Sequence, residues 1–361
     1  MTLRRMNIFC ISVDGLHCGM TGAFGNTWIQ TPMLDTCAGQ GVLFDRYYTD
    51  TLDLTAVFDV LFQSELQYAA EKLRTILVTD DTDVFFHPLA NDFDERHALE
   101  SFHADAPVIE LEQTQFCKAF AAVTDILDGI DVDAQSFLLH LHLEGFRGRW
   151  DFPYLWRKKF QDDQDPVPYS RTEVPQFTNA DPDTQQSVIE AYSGGMAVFD
   201  AALAGLLEYL EYLEDTILII TAARGFSLGE HGKIGTNDAI YNENVHLPLM
   251  IRFPKSCNTH SAGYRSQTLL LPQDVFPLLT DILAGQSDIP LEPQEIHSSL
   301  RIGNALLTPD WFYIPPQKDS AAELYAKPDD RWETNNVADR CPHIIESFGQ
   351  VETASNTNNV R

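Results

Sequence analysis

Four side chains stand where an α/β chain usually does its chemistry, just after short apolar runs: Asp14, Asp80, Phe146 and Arg224. A carboxylate after the first run suits a hard cation or a backbone amide, and one such group alone makes neither a metal centre nor an acid–base pair. His140 and His142 share a side by strand alternation, and with Glu144 nearby they form either a metal-binding face or hydrogen-bonded core. Glu230 and His231 sit in a G-E-H-G turn and read as loop-stabilising groups, with Lys233 two residues on. Thr51, Asp53, Thr55 and Ser64 carry oxygens that could attack an ester, but no base or metal ligand stands beside them to activate one.

Those residues need a scaffold, and the sequence writes it as apolar, β-rich runs at Asn7–Val13, Arg74–Thr79, 136–142, Thr216–Thr221 and 248–253. Runs apolar on both faces belong in a sheet covered by helices on both sides. Between the third and fourth, Ile189, Tyr192, Met196, Phe199, Leu203, Leu206, Leu210 and Leu213 recur at spacings of three and four, which predicts a long helix with one face on the sheet. Gly194 and Gly195 interrupt it, predicting a close backbone approach. Strand, helix, strand in this order implies a parallel, doubly wound sheet, whose ligands bind beyond the strands' carboxyl ends. The polar, proline-bearing stretch 157–186 should be a long surface loop at that edge, either a lid or a connector. Beyond Pro254 the pattern shifts to a small α+β portion: a strand-like 268–271, a helix over 274–284 and a strand at Trp311–Ile314. The expected division is 1–256 for the α/β part, 257–350 for the smaller part and a frayed tail at 351–361.

The 361 residues include 24 Lys+Arg against 53 Asp+Glu, a formal net charge of −29, which repels nucleic-acid phosphates and anionic lipid. Nucleic acid and membrane are therefore not expected partners. No secretory core is visible, so a cytoplasmic location is expected. The six cysteines, Cys10, Cys18, Cys37, Cys117, Cys257 and Cys341, form no C-x-x-C pair and read as reduced thiols.

Several motifs in order resemble the sulfatases of the alkaline-phosphatase-like superfamily. They are NIFCISVD ending at Asp14, T-P-M-L-D at 31–35, G-V-L-F at 41–44 with Tyr48, the 191–211 helix with the Thr216–Thr221 strand, L-G-E-H-G at 228–232, Y-N-E-N-V-H-L-P-L at 241–249, and E-L-Y at 323–325 with E-T-N-N-V-A at 333–338. The resemblance implies a three-layer α/β/α sandwich with a mostly parallel central sheet. It also implies a calcium ion held by two adjacent Asp after the first strand and by Asp with His or Asn after the fourth. Here those places carry Asp14, Gly15, Ala223 and Arg224, so Asp14 alone remains as a family ligand. The C/S-x-P-S-R nucleophile motif falls on 54–58, with Leu54 at its first position, and the family's other sulfate-binding positions fall near Asp80, Phe146 and Thr236. Ester cleavage needs a nucleophile, a dication and positive charge for the developing anion, and residues acting as one unit fail together. The expected reading is a pseudo-sulfatase without cofactor, serving as a binding or regulatory subunit for a small molecule or a protein, an active sulfatase among the candidates. The alternative is a sulfuric or phosphoric ester hydrolase with a rearranged centre, with calcium at Asp14. In the vacated site an Asp14–Arg224 ion pair is expected to stand in for calcium, since a buried unpaired carboxylate is costly.

Overall fold

The apolar runs assemble side by side. In the computed structural model, an eight-stranded sheet has the order Tyr264–Ser266, Val42–Phe44, Leu249–Arg252, Thr216–Thr221, Asn7–Val13, Phe137–Leu143, Arg74–Thr79, Glu95–Ala98. The structure describes residues 6–348 except 70–72, 132–134, 214, 255–256, 258–261, 284–296 and 319. The five runs read from sequence occupy five consecutive places among the six inner ones, where burial on both faces demands apolar side chains. All strands run parallel except Leu249–Arg252, which opposes both of its neighbours.

Alternation along one strand shows the layers. Ile76 and Val78 pack with Phe116, Phe120 and Val123 of the Gln115–Asp128 helix, whereas Leu77 between them packs with Val57, Phe58 and Leu61 of the Leu54–Ala69 helix. Helices therefore cover both faces, giving the α/β/α sandwich. The long helix spans Pro182–Leu210, opened by Asp181, whose side chain accepts from Thr184 N. Leu213 lies beyond its end. Its middle is buried on every side rather than on one, because the Tyr154–Arg157 segment packs on Gly194 and Phe152 on Gly195. The two glycines explain the fit: a Cβ on Gly194 would lie 2.5 Å from Arg157 Cα and one on Gly195 2.3 Å from the Phe152 ring. Asp200 of the same helix accepts from Met33 N (3.0 Å) and Leu34 N (2.9 Å), capping Pro32–Gln40.

The 157–186 stretch is a connector held down from within. Arg157, fully buried, donates to the carbonyls of Trp150, Phe152, Tyr169 and Arg171, and burial lowers its pKa to about 10. Phe177–Thr178 then pairs with Lys233–Gly235, and the helix begins at Pro182.

The 268–271 run is not a strand: it makes one bridge, Leu270 to Tyr47, and its leucines fill the core without a ladder. Tyr264–Ser266 edges the main sheet and Val275–Leu283 lies against the Leu54–Ala69 helix, so the main layers extend past the break expected at 256. A four-stranded antiparallel sheet follows, Leu300–Ile302, Ala305–Leu307, Trp311–Ile314 and Glu323–Ala326, of which the periodicity revealed only Trp311–Ile314. Its other strands are three or four residues long, too short for alternation to register. Ala284, Glu214 and the tail at 351–361 lie outside the described residues.

Candidate functional site

The parallel strands end together, and the residues within three positions past their ends meet one another. Backbone bonds set the frame: Asp14 N donates to Leu143 O (2.9 Å), Gly15 N to Arg224 O (2.8 Å) and Phe146 N to Asp14 O (2.9 Å). Tyr192 of the long helix locks it, its hydroxyl donating to Gly15 O (2.6 Å) and accepting from His17 N (2.8 Å). Gly15 has φ of 77°, a conformation that favours glycine, and a Cβ there would meet Arg147 Cγ at 2.9 Å. An aspartate at position 15 would therefore strain this loop.

Asp14 and Arg224 form the expected pair. Arg224 Nε donates to both Asp14 carboxylate oxygens (3.3 and 3.2 Å), Nη2 donates to Oδ2, and Nη1 reaches Leu52 O (3.2 Å). The side chains are 2% and 16% exposed, so this ion pair is largely desolvated. Burial disfavours the Arg224 charge, but Asp14 outweighs it and raises the guanidinium pKa. A second guanidinium, unforeseen in the sequence, approaches the same carboxylate: Arg147 Nε lies 3.8 Å from Asp14 Oδ2, while its Nη1 donates to Gly225 O (3.1 Å). Ala223 is fully buried in the apolar cluster of Val57 and Phe58. A carboxylate capped by arginine and flanked by Gly15 and Ala223 does not fit a calcium ion, which needs six or more oxygens.

The other positions are likewise occupied by structure. Phe146 is fully buried against Tyr192 (ring centroids 4.4 Å apart), Phe116 and Phe152. Leu54 opens the Leu54–Ala69 helix and packs against its apolar cluster. Thr236 lies 2.6 Å from the Gln176 side-chain amide. Lys233 is exposed and donates to Thr178 (3.3 Å). Asp53 accepts from Ala56 N (2.9 Å) as a helix cap, Thr51 Oγ1 accepts from Asp53 N (3.2 Å) and Ser64 donates to Gln273 O (3.4 Å). Thr55 is exposed.

Carboxylates crowd the adjoining strand ends. Asp80 accepts from Glu144 N (2.8 Å), and burial lifts its pKa to about 6. Burial together with Asp80, Asp81 and Asp14 lifts Glu144 to about 7. Both line a narrow recess shared with Gly145, Arg149 and Asp151. Asp81 behaves oppositely: burial raises it, but His142 and the amides of Asp83 and Val84 outweigh burial and hold it below the usual range.

His140 and His142 do not converge with Glu144. They sit in the core on the face covered by the Leu54–Ala69 helix, each within hydrogen-bonding distance of Ser12 Oγ (2.7 and 2.9 Å). His140 Nδ1 meets Glu65 (2.8 Å), and His142 Nε2 lies 3.8 Å from Asp81 Oδ2. Glu65 escaped the sequence reading although it left a signal: it continues the apolar face Phe58, Leu61, Phe62 of its helix, where a charge is out of place. The G-E-H-G turn clamps the small sheet's tail, with His231 Nδ1 3.1 Å from Glu243, Nε2 3.0 Å from Glu333 O and its ring stacked on Tyr241 at 3.6 Å. Glu230 accepts from Leu228 N (2.6 Å) and faces His17 (3.4 Å). All six cysteines are free thiols.

Comparison with known proteins follows the same lines. The profile of the family described as Sulfatase matches residues 79–284. An N-acetylglucosamine-6-O-sulfatase of Bacteroides thetaiotaomicron is 32% identical over 151 residues, 39% of this chain and 26% of that protein, so the match spans about a quarter of the relative's length. Among solved structures, BT4656 in complex with its substrate D-glucosamine-2-N,6-O-disulfate superposes with a TM-score of 0.75 at 16% identity, covering 99% of this chain and 98% of that one. The phosphonate monoester hydrolase of Agrobacterium radiobacter gives 0.74 at 15% identity, covering 98% and 96%. At such identities the structural likeness is one of fold. Among the described residues no helix is long and apolar enough to cross a membrane.

Proposed function

The chain belongs to the sulfatase family, and from that premise we propose that it is a pseudo-sulfatase, a member that keeps the fold without the ester-cleaving centre and works as a binding or regulatory subunit. The observation that carries this is the Asp14–Arg224 pair, backed by Arg147, at the strand ends where the family places its metal. A fixed guanidinium supplies charge but no exchangeable coordination site, so it neither polarises a bound ester oxygen by inner-sphere contact nor lowers the pKa of a bound water. The position of the nucleophile, Leu54, is aliphatic, and Phe146 is sealed in the core. The occupant is proposed to be a small molecule or another protein, an active sulfatase included, and no resident metal is proposed at Asp14.

A second reading is favoured by one observation, the pair Asp80 and Glu144 with pKa values raised to about 6 and about 7 beside a recess, as general acid–base groups would be. It makes the chain a sulfuric or phosphoric ester hydrolase with a rearranged centre. Turnover assays on an aryl sulfate, an aryl phosphate and N-acetylglucosamine 6-sulfate, with and without calcium, separate the two; the last is chosen because the curated relative is an N-acetylglucosamine-6-O-sulfatase. Calorimetry with calcium runs beside them. The pseudo-sulfatase reading expects neither turnover nor calcium heat. Calcium-dependent turnover abolished by Asp14→Ala overturns it, and turnover abolished by Glu144→Gln favours the hydrolase.

A further inference from the structure

Beneath the Leu54–Ala69 helix, one face of the sheet is polar where it should be apolar. Cys10 and Ser12 of the first strand stand in register with His140 and His142 of its neighbour, and Glu65 of the helix closes over them; all five are buried. No Arg or Lys is paired with Glu65 among the described residues, and one of its oxygens lacks a well-directed hydrogen bond. A fully buried carboxylate in that position is costly unless a positive charge reaches it.

The polar groups form one chain of contacts. His142 Nδ1 lies 2.9 Å from Ser12 Oγ, while its Nε2, 3.8 Å from Asp81 Oδ2, has no hydrogen-bond partner. Ser12 Oγ also lies 2.7 Å from His140 Nε2. His140 Nδ1 is 2.8 and 2.9 Å from the two Glu65 oxygens and is hydrogen-bonded to Oε2, which leaves the buried Oε1 without a hydrogen bond. A buried carboxylate oxygen with no hydrogen-bond donor is a ready metal donor. The Cys10 sulfur completes the group: the sulfur, a Glu65 oxygen and a His140 nitrogen all lie within 4.8 Å of one another.

We propose that Cys10, Glu65 and His140 form a buried site for a zinc-class divalent ion. The donor set of thiolate, imidazole and carboxylate suits a borderline-soft ion and not calcium. Thiolate and carboxylate together neutralise the two positive charges, so a loaded site buries no net charge. Binding expels the Cys10 thiol proton, and any proton shared by Glu65 and His140, to solvent. With Nδ1 on the ion, His140 Nε2 carries the proton and donates it to Ser12 Oγ, 2.7 Å away, the outer hydrogen bond by which a ligating histidine fixes its ring. With every donor buried, loading belongs to folding rather than to diffusion into the native protein. The proposal stands whether or not the strand-end site hydrolyses anything.

The full chain, expressed in medium supplemented with Zn²⁺ or Co²⁺, tests it by metal content and absorption spectrum. The expected result is one ion per chain and, with cobalt, a thiolate-to-metal charge-transfer band. Cys10→Ala should lose the band and Glu65→Gln the stoichiometry. Ser12→Ala, which keeps every donor, should weaken retention against a chelator by about 10-fold or more. Should the donor variants fail to fold, the wild-type spectrum and Ser12→Ala still decide. No bound metal, bound cobalt without the thiolate band, or an ion lost in Asp14→Asn and kept in Cys10→Ala would each overturn it, the outcome in the last case being that the protein pairs protons where metal was proposed.

Discussion

Removing the Arg224 guanidinium should cost more than removing an ordinary surface charge, and the size follows from its surroundings. Arg224→Met strips Asp14 of three of its contacts and leaves a carboxylate 2% exposed, with Arg147 at 3.8 Å as its remaining cation. Breaking a buried pair from one side costs about 3–5 kcal/mol; the 16% exposure of Arg224 and the nearness of Arg147 place this one at the lower end, about 3 kcal/mol. Asp14→Asn should cost about 2 kcal/mol, since two guanidinium groups then lose their counter-charge. The double variant should be less destabilised than the sum of the singles, with a coupling of about 2 kcal/mol. Urea unfolding of the four proteins, read by tryptophan fluorescence with and without calcium, measures this. Calcium should leave the wild type unmoved, whereas an ion present at a hundred times its dissociation constant would add about 2.7 kcal/mol. A cost under about 1 kcal/mol for Arg224→Met, additive singles, or stabilisation of the wild type by calcium refutes the idea that an arginine has taken the metal's place.

The pH response offers two further checks of opposite origin. Glu144, lifted from 4.5 to about 7 by burial and its acidic neighbours, binds its proton more tightly when folded, so stability falls as pH rises from about 4 through 7. Glu144→Gln should therefore stabilise the protein at pH 8, by about 1–2 kcal/mol after solvent screening, and change little at pH 4, as unfolding at the two pH values will show. His231, raised to about 9 because Glu243 and the Glu333 carbonyl outweigh its burial, contributes stability that is complete below pH 6.5 and lost as pH climbs through 9. His231→Gln should accordingly destabilise at pH 6 and not at pH 10. Gly194→Ala, though favourable to a helix by about 1 kcal/mol, drives a methyl group into the Arg157 backbone and should lose about 1–3 kcal/mol net in thermal or urea unfolding. Tyr192→Phe removes the hydroxyl between His17 N and Gly15 O and should cost about 1–3 kcal/mol, measured the same way.

What the amino-acid order determined by itself is the part that local pattern can carry. Apolar runs long enough to be buried on two faces marked five of the six inner strands, the three-and-four spacing marked the long helix, and the glycine pair marked where another segment touches it. Chain order then put Asp14 and Arg224 at neighbouring strand ends, so an opposite-charge pair across 210 residues was legible before any contact was seen. Three-residue strands of the C-terminal sheet left no such trace, because alternation needs more length than they have. Tertiary packing alone decided that Arg147 would turn toward Asp14, that Phe146 would be swallowed by aromatic rings, and that Glu65 would descend on His140 from a helix whose other inward residues are apolar. Each of these depends on which faces of separate elements meet, and on what a buried charge must find once water is gone.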